Sequence, residues 1–230
     1  YRTYSDGVMF SDCKDSRARD CFVRTGDDAM EVKAFTDSTD PDCYTDGVLF
    51  ENNCVWTDKG IGYGCIYESK HDIKNVIFRN NSIGFAQASW SEHLGCCTVQ
   101  MGSVKTSTWE DIHFENMEVY KTSCALLSVF NRANNEREGG KIKDIYFENI
   151  TAKYAVQTNL PVYCLSVVIR LKEGATWQNS TIGALYLDNI RYAGAEIAAD
   201  NYEEYTNIAL DNGARFARSS IKVNKLSGEE

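Results

Sequence analysis

Ile73-Lys74-Asn75-Val76-Ile77-Phe78-Arg79-Asn80-Asn81-Ser82-Ile83 alternates apolar and polar residues, then sets two asparagines before the apolar character resumes. Period-two alternation belongs to a strand with one face inward. Asparagine tolerates left-handed backbone geometry and can bond to its own turn, so it suits a sharp bend after the strand. The theme, apolar-x-Phe-x-Asn-x(0–1)-apolar, returns in Trp109-Glu110-Asp111-Ile112-His113-Phe114-Glu115-Asn116-Met117 and in Lys143-Asp144-Ile145-Tyr146-Phe147-Glu148-Asn149-Ile150. Leu185-Tyr186-Leu187-Asp188-Asn189-Ile190 carries a weaker copy. Upstream, Tyr44-Thr45-Asp46-Gly47-Val48-Leu49-Phe50 runs into Glu51-Asn52-Asn53-Cys54 and is echoed by Tyr4-Ser5-Asp6-Gly7-Val8-Met9-Phe10. The aromatics Phe10, Phe50, Phe78, Phe114 and Phe147 are separated by 40, 28, 36 and 33 residues, as when each unit carries loops of its own length.

A single unit of this kind cannot bury its apolar face, whereas stacked units can, with asparagines at equivalent corners forming a ladder. The pattern predicts an all-β fold: a right-handed parallel β-helix, a single-stranded solenoid of roughly seven to nine coils. Phe50, Phe78, Phe114 and Phe147 are expected to stack inward. An antiparallel sandwich is also built of short strands and turns, but the hairpin signals it needs are sparse here and the theme keeps one orientation. From Ala193 the pattern loosens; Ala195–Asp200 reads as a short helix and Ile221-Lys222-Val223 as a last strand, together the final coils and a cap. No linker divides residues 1–230, so one β-helix domain is expected. The opening Tyr1-Arg2-Thr3-Tyr4 already stands beside a strand of the candidate site. An N-terminal portion of the full-length protein, with any leader, is therefore expected to precede it.

The chain is 43% apolar and 25% charged, without an apolar run long enough to span a bilayer, so no membrane partner is expected. A net charge of −9 disfavours nucleic acid and other polyanions. Nine cysteines, an odd number that includes the vicinal Cys96-Cys97, do not form a clean disulfide framework, and no C-x-x-C spacing suggests zinc. Most are expected to be reduced and packed in the core, beside one or two disulfides.

The chemistry concentrates in Gly26-Asp27-Asp28-Ala29-Met30-Glu31-Val32-Lys33, with Asp6 twenty-one residues before Asp27. That interval is one coil of a solenoid and would bring the three acids onto neighbouring coils. Ser5-Asp6-Gly7 followed by Gly26-Asp27-Asp28 resembles the paired motifs of the β-helical inverting glycoside hydrolases: polygalacturonases of family 28, and dextranases and isopullulanases of family 49. The motif match covers residues 4–33, the architecture most of the chain. The resemblance implies a secreted hydrolase of α-linked polysaccharide, extracellular or periplasmic, without cofactor or metal. It also implies Asp27 as general acid, with Asp6 and Asp28 sharing the role of base. Such catalysis needs one carboxylic acid to protonate the leaving oxygen and a carboxylate to activate water on the other face. Crowding of like charges raises at least one pKa to keep a proton available.

Two motifs of the polygalacturonases are missing. Their Gly-His-Gly is matched only by Gly60-Ile61-Gly62-Tyr63-Gly64, and Arg170-Leu171-Lys172 lies about a hundred residues too late for the pair that binds the uronate carboxylate. With the acidic net charge, this leans the expected substrate toward a neutral α-glucan; pectin is the alternative. Sugar-binding candidates are Trp56, Tyr63, Tyr67 and Trp90 as flat platforms, with Glu68, Glu92 and His93 as polar partners. His113, flanked by charged residues on its strand, reads as a surface residue. Outside hydrolysis, an Asp stack that binds Ca²⁺ or caps turns, and a non-catalytic carbohydrate-binding β-helix, account for the same residues.

Overall fold

The computed structural model describes residues 5–35, 40, 42–87, 94–102, 106–133, 138–156 and 163–224, and the structural statements below concern these. The chain is all-β, its strands gathered into two curled sheets. The first sheet orders β1 (Val8–Ser11), β4 (Met30–Lys33), β7 (Tyr63–Tyr67), β10 (Gly95–Met101), β12 (Ala125–Arg132), β14 (Leu165–Arg170) and β18 (Thr206–Asp211) side by side. The second runs from β2 (Lys14–Arg19) through β5 (Thr45–Glu51), β8 (Ile73–Arg79), β11 (Ser107–Thr122), β13 (Gly140–Ala155) and β16 (Leu185–Tyr192) to β17 (Ala195–Ile197). Short strands β3 (Phe22–Thr25), β6 (Cys54–Thr57) and β9 (Ser82–Phe85) pair in sequence and join the distal part of β11. Strands β15 (Thr181–Ile182) and β19 (Ile221–Val223) pair with β13 and β16. Every pairing is parallel except β16 with β17.

The repeated theme decides the register. Phe50, Phe78, Phe114 and Phe147 stand opposite one another on β5, β8, β11 and β13 and are fully buried. Neighbouring rings lie 5.3, 4.7 and 5.3 Å apart and nearly parallel. Ala18 precedes this column and Leu187 follows it. Each ring buried this way is worth about 1.5–3 kcal/mol of apolar transfer, which a lone strand could not collect.

The asparagines do two jobs. Asp20, Asn52, Asn80, Asn116, Asn149 and Asn189 all take the left-handed conformation, φ between 48° and 58°, where the chain bends. Beside them, Asn53 and Asn81 point inward at 2% exposure. Asn81 accepts the Asn53 backbone N–H at 2.8 Å and donates to the Phe50 carbonyl at 2.9 Å, so the bend's buried polar groups are satisfied. The ladder expected from the sequence is therefore present, with its exposed column made of left-handed residues rather than buried amides.

Other expectations change. The echo between Tyr4–Phe10 and Tyr44–Phe50 does not reflect equivalence, since β1 lies in the first sheet and β5 in the second. Ala18, not Phe10, stands opposite Phe50; Phe10 packs on that ring from the other sheet at 5.3 Å. Of the short helix expected over 195–200, residues Ala195–Ile197 form β17 instead, turned back on β16 where its edge would otherwise be bare. None of the nine cysteines forms a disulfide, and five of them are buried. No helix among the described residues is long and apolar enough to cross a membrane.

Candidate active site

The three acids converge at the start of two neighbouring strands of the first sheet. Asp6 stands just before β1 and Asp28 just before β4; the Gly7 N–H donates to the Asp28 carbonyl at 2.8 Å, locking the two segments together. A Cβ on Gly7 would collide with the Ala29 carbonyl. One on Gly60 would collide with the Asp27–Asp28 peptide, so the glycine-rich stretch before β7 is what lets that peptide lie flat on the next pass of the chain. Thr25 and Thr57 both donate their hydroxyls to the Asp27 carbonyl at 2.6 Å. The Ile61 N–H donates to Asp28 Oδ1 at 2.8 Å.

One oxygen from each of Asp6, Asp27 and Asp28 lies within 4.8 Å of the other two. Those closest oxygens are nearer than the carboxyl separation of about 6.5–9.5 Å associated with inversion, and such a cluster can also hold a cation. Burial is the main reason the Asp28 carboxyl is pushed up to about 7; the Ile61 N–H and Lys33 oppose this, while Asp27 and Asp6 add to it. Asp28 therefore holds a proton near neutrality, although the resemblance implies Asp27 as the acid.

The trio opens into a cleft of about 620 Å³, also lined by Lys33, Ile66, Tyr67, Glu68, Leu94, Gln100, Phe130, Arg132 and Arg170. Lys33 Nζ gathers carboxylates: Glu68 at 3.2 Å, Glu31 at 3.3 Å and Asp6 at 3.8 Å. Burial lowers the Lys33 pKa, yet Glu31, Glu68 and Asp6 outweigh it and the ammonium is held above its ordinary value. Glu31 is wholly enclosed beneath it, and burial pushes that carboxyl up against the pull of Lys33.

Arg132 and Arg170 are register partners at the ends of β12 and β14. From β4 to β12 is three strand spacings, about 14 Å, so the arginines enter the cleft from strands remote from the one that follows Asp28. Arg132 sits over the Tyr67 ring at 5.4 Å without a carboxylate partner among the described residues, while Arg170 pairs with Asp211 at 3.0 Å.

Of the sugar-binding candidates, Tyr67 and Glu68 line the cleft. Tyr63 does not: it is fully buried against Phe78, because the alternation of β7 turns it into the core. Trp56 is exposed on β6, beside Phe85 at 5.6 Å and under Arg24, away from the cleft lining. Trp90, Glu92 and His93 lie outside the described residues. Lys33, Gln100, Arg132 and Arg170 were missed as site residues. For Lys33 the signal was present, two positions after a buried Glu on the strand that follows the acid pair; for the arginines only strand stacking reveals it.

No protein-family model, curated protein or solved structure matches the chain.

Proposed function

We propose that this protein is a glycoside hydrolase that cleaves an α-linked polysaccharide with inversion, on a right-handed parallel β-helix. The observation that carries the reading is the convergence of Asp6, Asp27 and Asp28 at one end of a cleft walled by Tyr67, Glu68 and Lys33. In support of the β-helix, successive passes of the chain add parallel strands in matching register, and crossovers between parallel strands are right-handed in almost all proteins. In support of the chemistry, a carboxyl with a pKa of about 7 beside two more acids provides a proton donor and a base at one pH. Water, activated by an ionised member of the trio, attacks the anomeric carbon as the glycosidic bond breaks, and the protonated member delivers its proton to the leaving oxygen. Asp27 by resemblance and Asp28 by burial are the two choices for that donor. A substrate whose leaving group needs no protonation separates them: the donor's Asn variant keeps turnover on it, and the base's does not.

Two observations favour second readings. The close approach of the acid oxygens suits a glycosyl-aspartate intermediate and retention. Arg132 and Arg170 in the cleft favour a polymer bearing carboxylates over the neutral glucan expected from the sequence. The test is a panel of α-linked neutral and acidic polysaccharides, read by released reducing ends and by proton NMR of the first-formed product. Hydrolysis that Asp27→Asn and Asp28→Asn both cut by orders of magnitude, with the β-anomer first, supports the proposal. A first-formed α-anomer selects retention. Full activity in both variants, or no turnover on any member of the panel, rejects it.

A further inference from the structure

On the outer face of the second sheet, away from the acid trio, His113 and Glu115 project from β11 beside Glu148 of β13. One donor atom from each, an imidazole nitrogen and two carboxylate oxygens, lies within 4.8 Å of the others. From this cluster we infer a binding site for a divalent transition metal, of the Zn²⁺ class, that clamps β11 to β13.

Two features of the cluster favour a cation there. First, Glu115, Glu148 and Asp188 follow one another in register across β11, β13 and β16. Like charges directly opposite destabilise a sheet, and the one positive neighbour in this row, Arg79, pairs with Glu115 Oε2 at 2.9 Å on the far side. Second, the imidazole is aimed. His113 Nε2 meets Asp111 Oδ1 at 2.9 Å and its ring stacks on Tyr146 at 4.2 Å. Its Nδ1 faces Glu115 Oε1 at 3.6 Å and is buried without a hydrogen-bond partner. A buried ring nitrogen that makes no hydrogen bond to the carboxylate beside it is satisfied when both bind one cation.

The distances select what that is. At 3.6 Å the Nδ1–Oε1 gap is too long for a hydrogen bond. It is close to the edge of a tetrahedron around zinc, where donors about 2.1 Å from the ion stand about 3.4 Å from each other. Asp111 then plays the outer carboxylate that orients a metal-bound histidine. One imidazole with two carboxylates suits Zn²⁺ or its neighbours better than Ca²⁺ or Mg²⁺, which take oxygen ligands alone. Three protein ligands leave the fourth position to water. The clamp would offset the stacked acids and tie two passes of the chain together, a role independent of the hydrolytic proposal.

The test is titration of EDTA-stripped protein with Zn²⁺ by calorimetry and with Co²⁺ by visible absorption. One equivalent should bind and raise the melting temperature. Binding should vanish in His113→Ala and in the nearly isosteric Glu148→Gln, weaken about 10–100-fold in Asp111→Asn, and persist in Asp27→Asn. Uptake that survives both ligand variants, or that is lost in Asp27→Asn, overturns the inference by placing the metal at the acid trio or elsewhere. Absence of uptake by the wild-type protein overturns it too.

Discussion

Replacing Asp28 by asparagine should stabilise the protein at pH 8 while leaving its stability at pH 4 nearly unchanged. The carboxyl ionises at 3.8 in an unfolded chain and at about 7 in the folded one, chiefly because burial penalises its charge. Between those values the native state keeps a proton that the unfolded state has released. Stability therefore falls as pH rises through the window and has lost this contribution in full above about 7. Three units at about 1.36 kcal/mol each make the loss about 4 kcal/mol. Asparagine cannot ionise, yet its side-chain oxygen can still accept the Ile61 N–H that Asp28 now holds at 2.8 Å. The stability difference between variant and wild type should thus grow by about 4 kcal/mol from pH 4 to pH 8. Urea unfolding followed by tryptophan fluorescence at both pH values measures it, and other titrating groups cancel in the difference. A difference that does not change with pH would refute the reasoning, since Asp28 would then be ionised in the native state and could not hold the proton.

The same shift should appear in catalysis: if the form with Asp28 protonated is the active one, kcat/KM on any substrate found by the panel falls as pH rises past about 7. Phe114→Ala opens the middle of the ring column and should cost about 3–5 kcal/mol in urea unfolding. Asn81→Ala strips partners from the Asn53 N–H and the Phe50 carbonyl; the expected loss is about 2 kcal/mol or more, read the same way. Gly60→Val should displace the Asp27–Asp28 peptide and lower turnover about 100-fold while the circular dichroism stays that of the wild type.

The β character of this chain was legible because its determinants are local. A strand with an apolar face and a bend that needs left-handed residues are each written within ten positions, as in Ile77-Phe78-Arg79-Asn80-Asn81. Repetition of that unit then implied the aromatic column, and the column is where the repeat placed it. Asp6, Asp27 and Asp28 were also within reach, since the interval of one pass brings them together across a single strand pair. Local resemblance misled where it was not equivalence. Tyr4–Phe10 and Tyr44–Phe50 share a string, but pairing is decided by which neighbouring strand offers hydrogen bonds and a matching apolar face, and these two strands found different sheets. Tyr63 looked like a platform because alternation reports two faces without saying which one is inside. Arg132 and Arg170 reach the cleft more than a hundred residues after Asp27, because neighbouring strands of the first sheet stand only about 4.8 Å apart however long the loops between them are. Sequence distance counts residues in loops, whereas stacking counts strands. Only the folded chain converts one into the other, and so only the tertiary structure sets the charge along the cleft and the company His113 keeps.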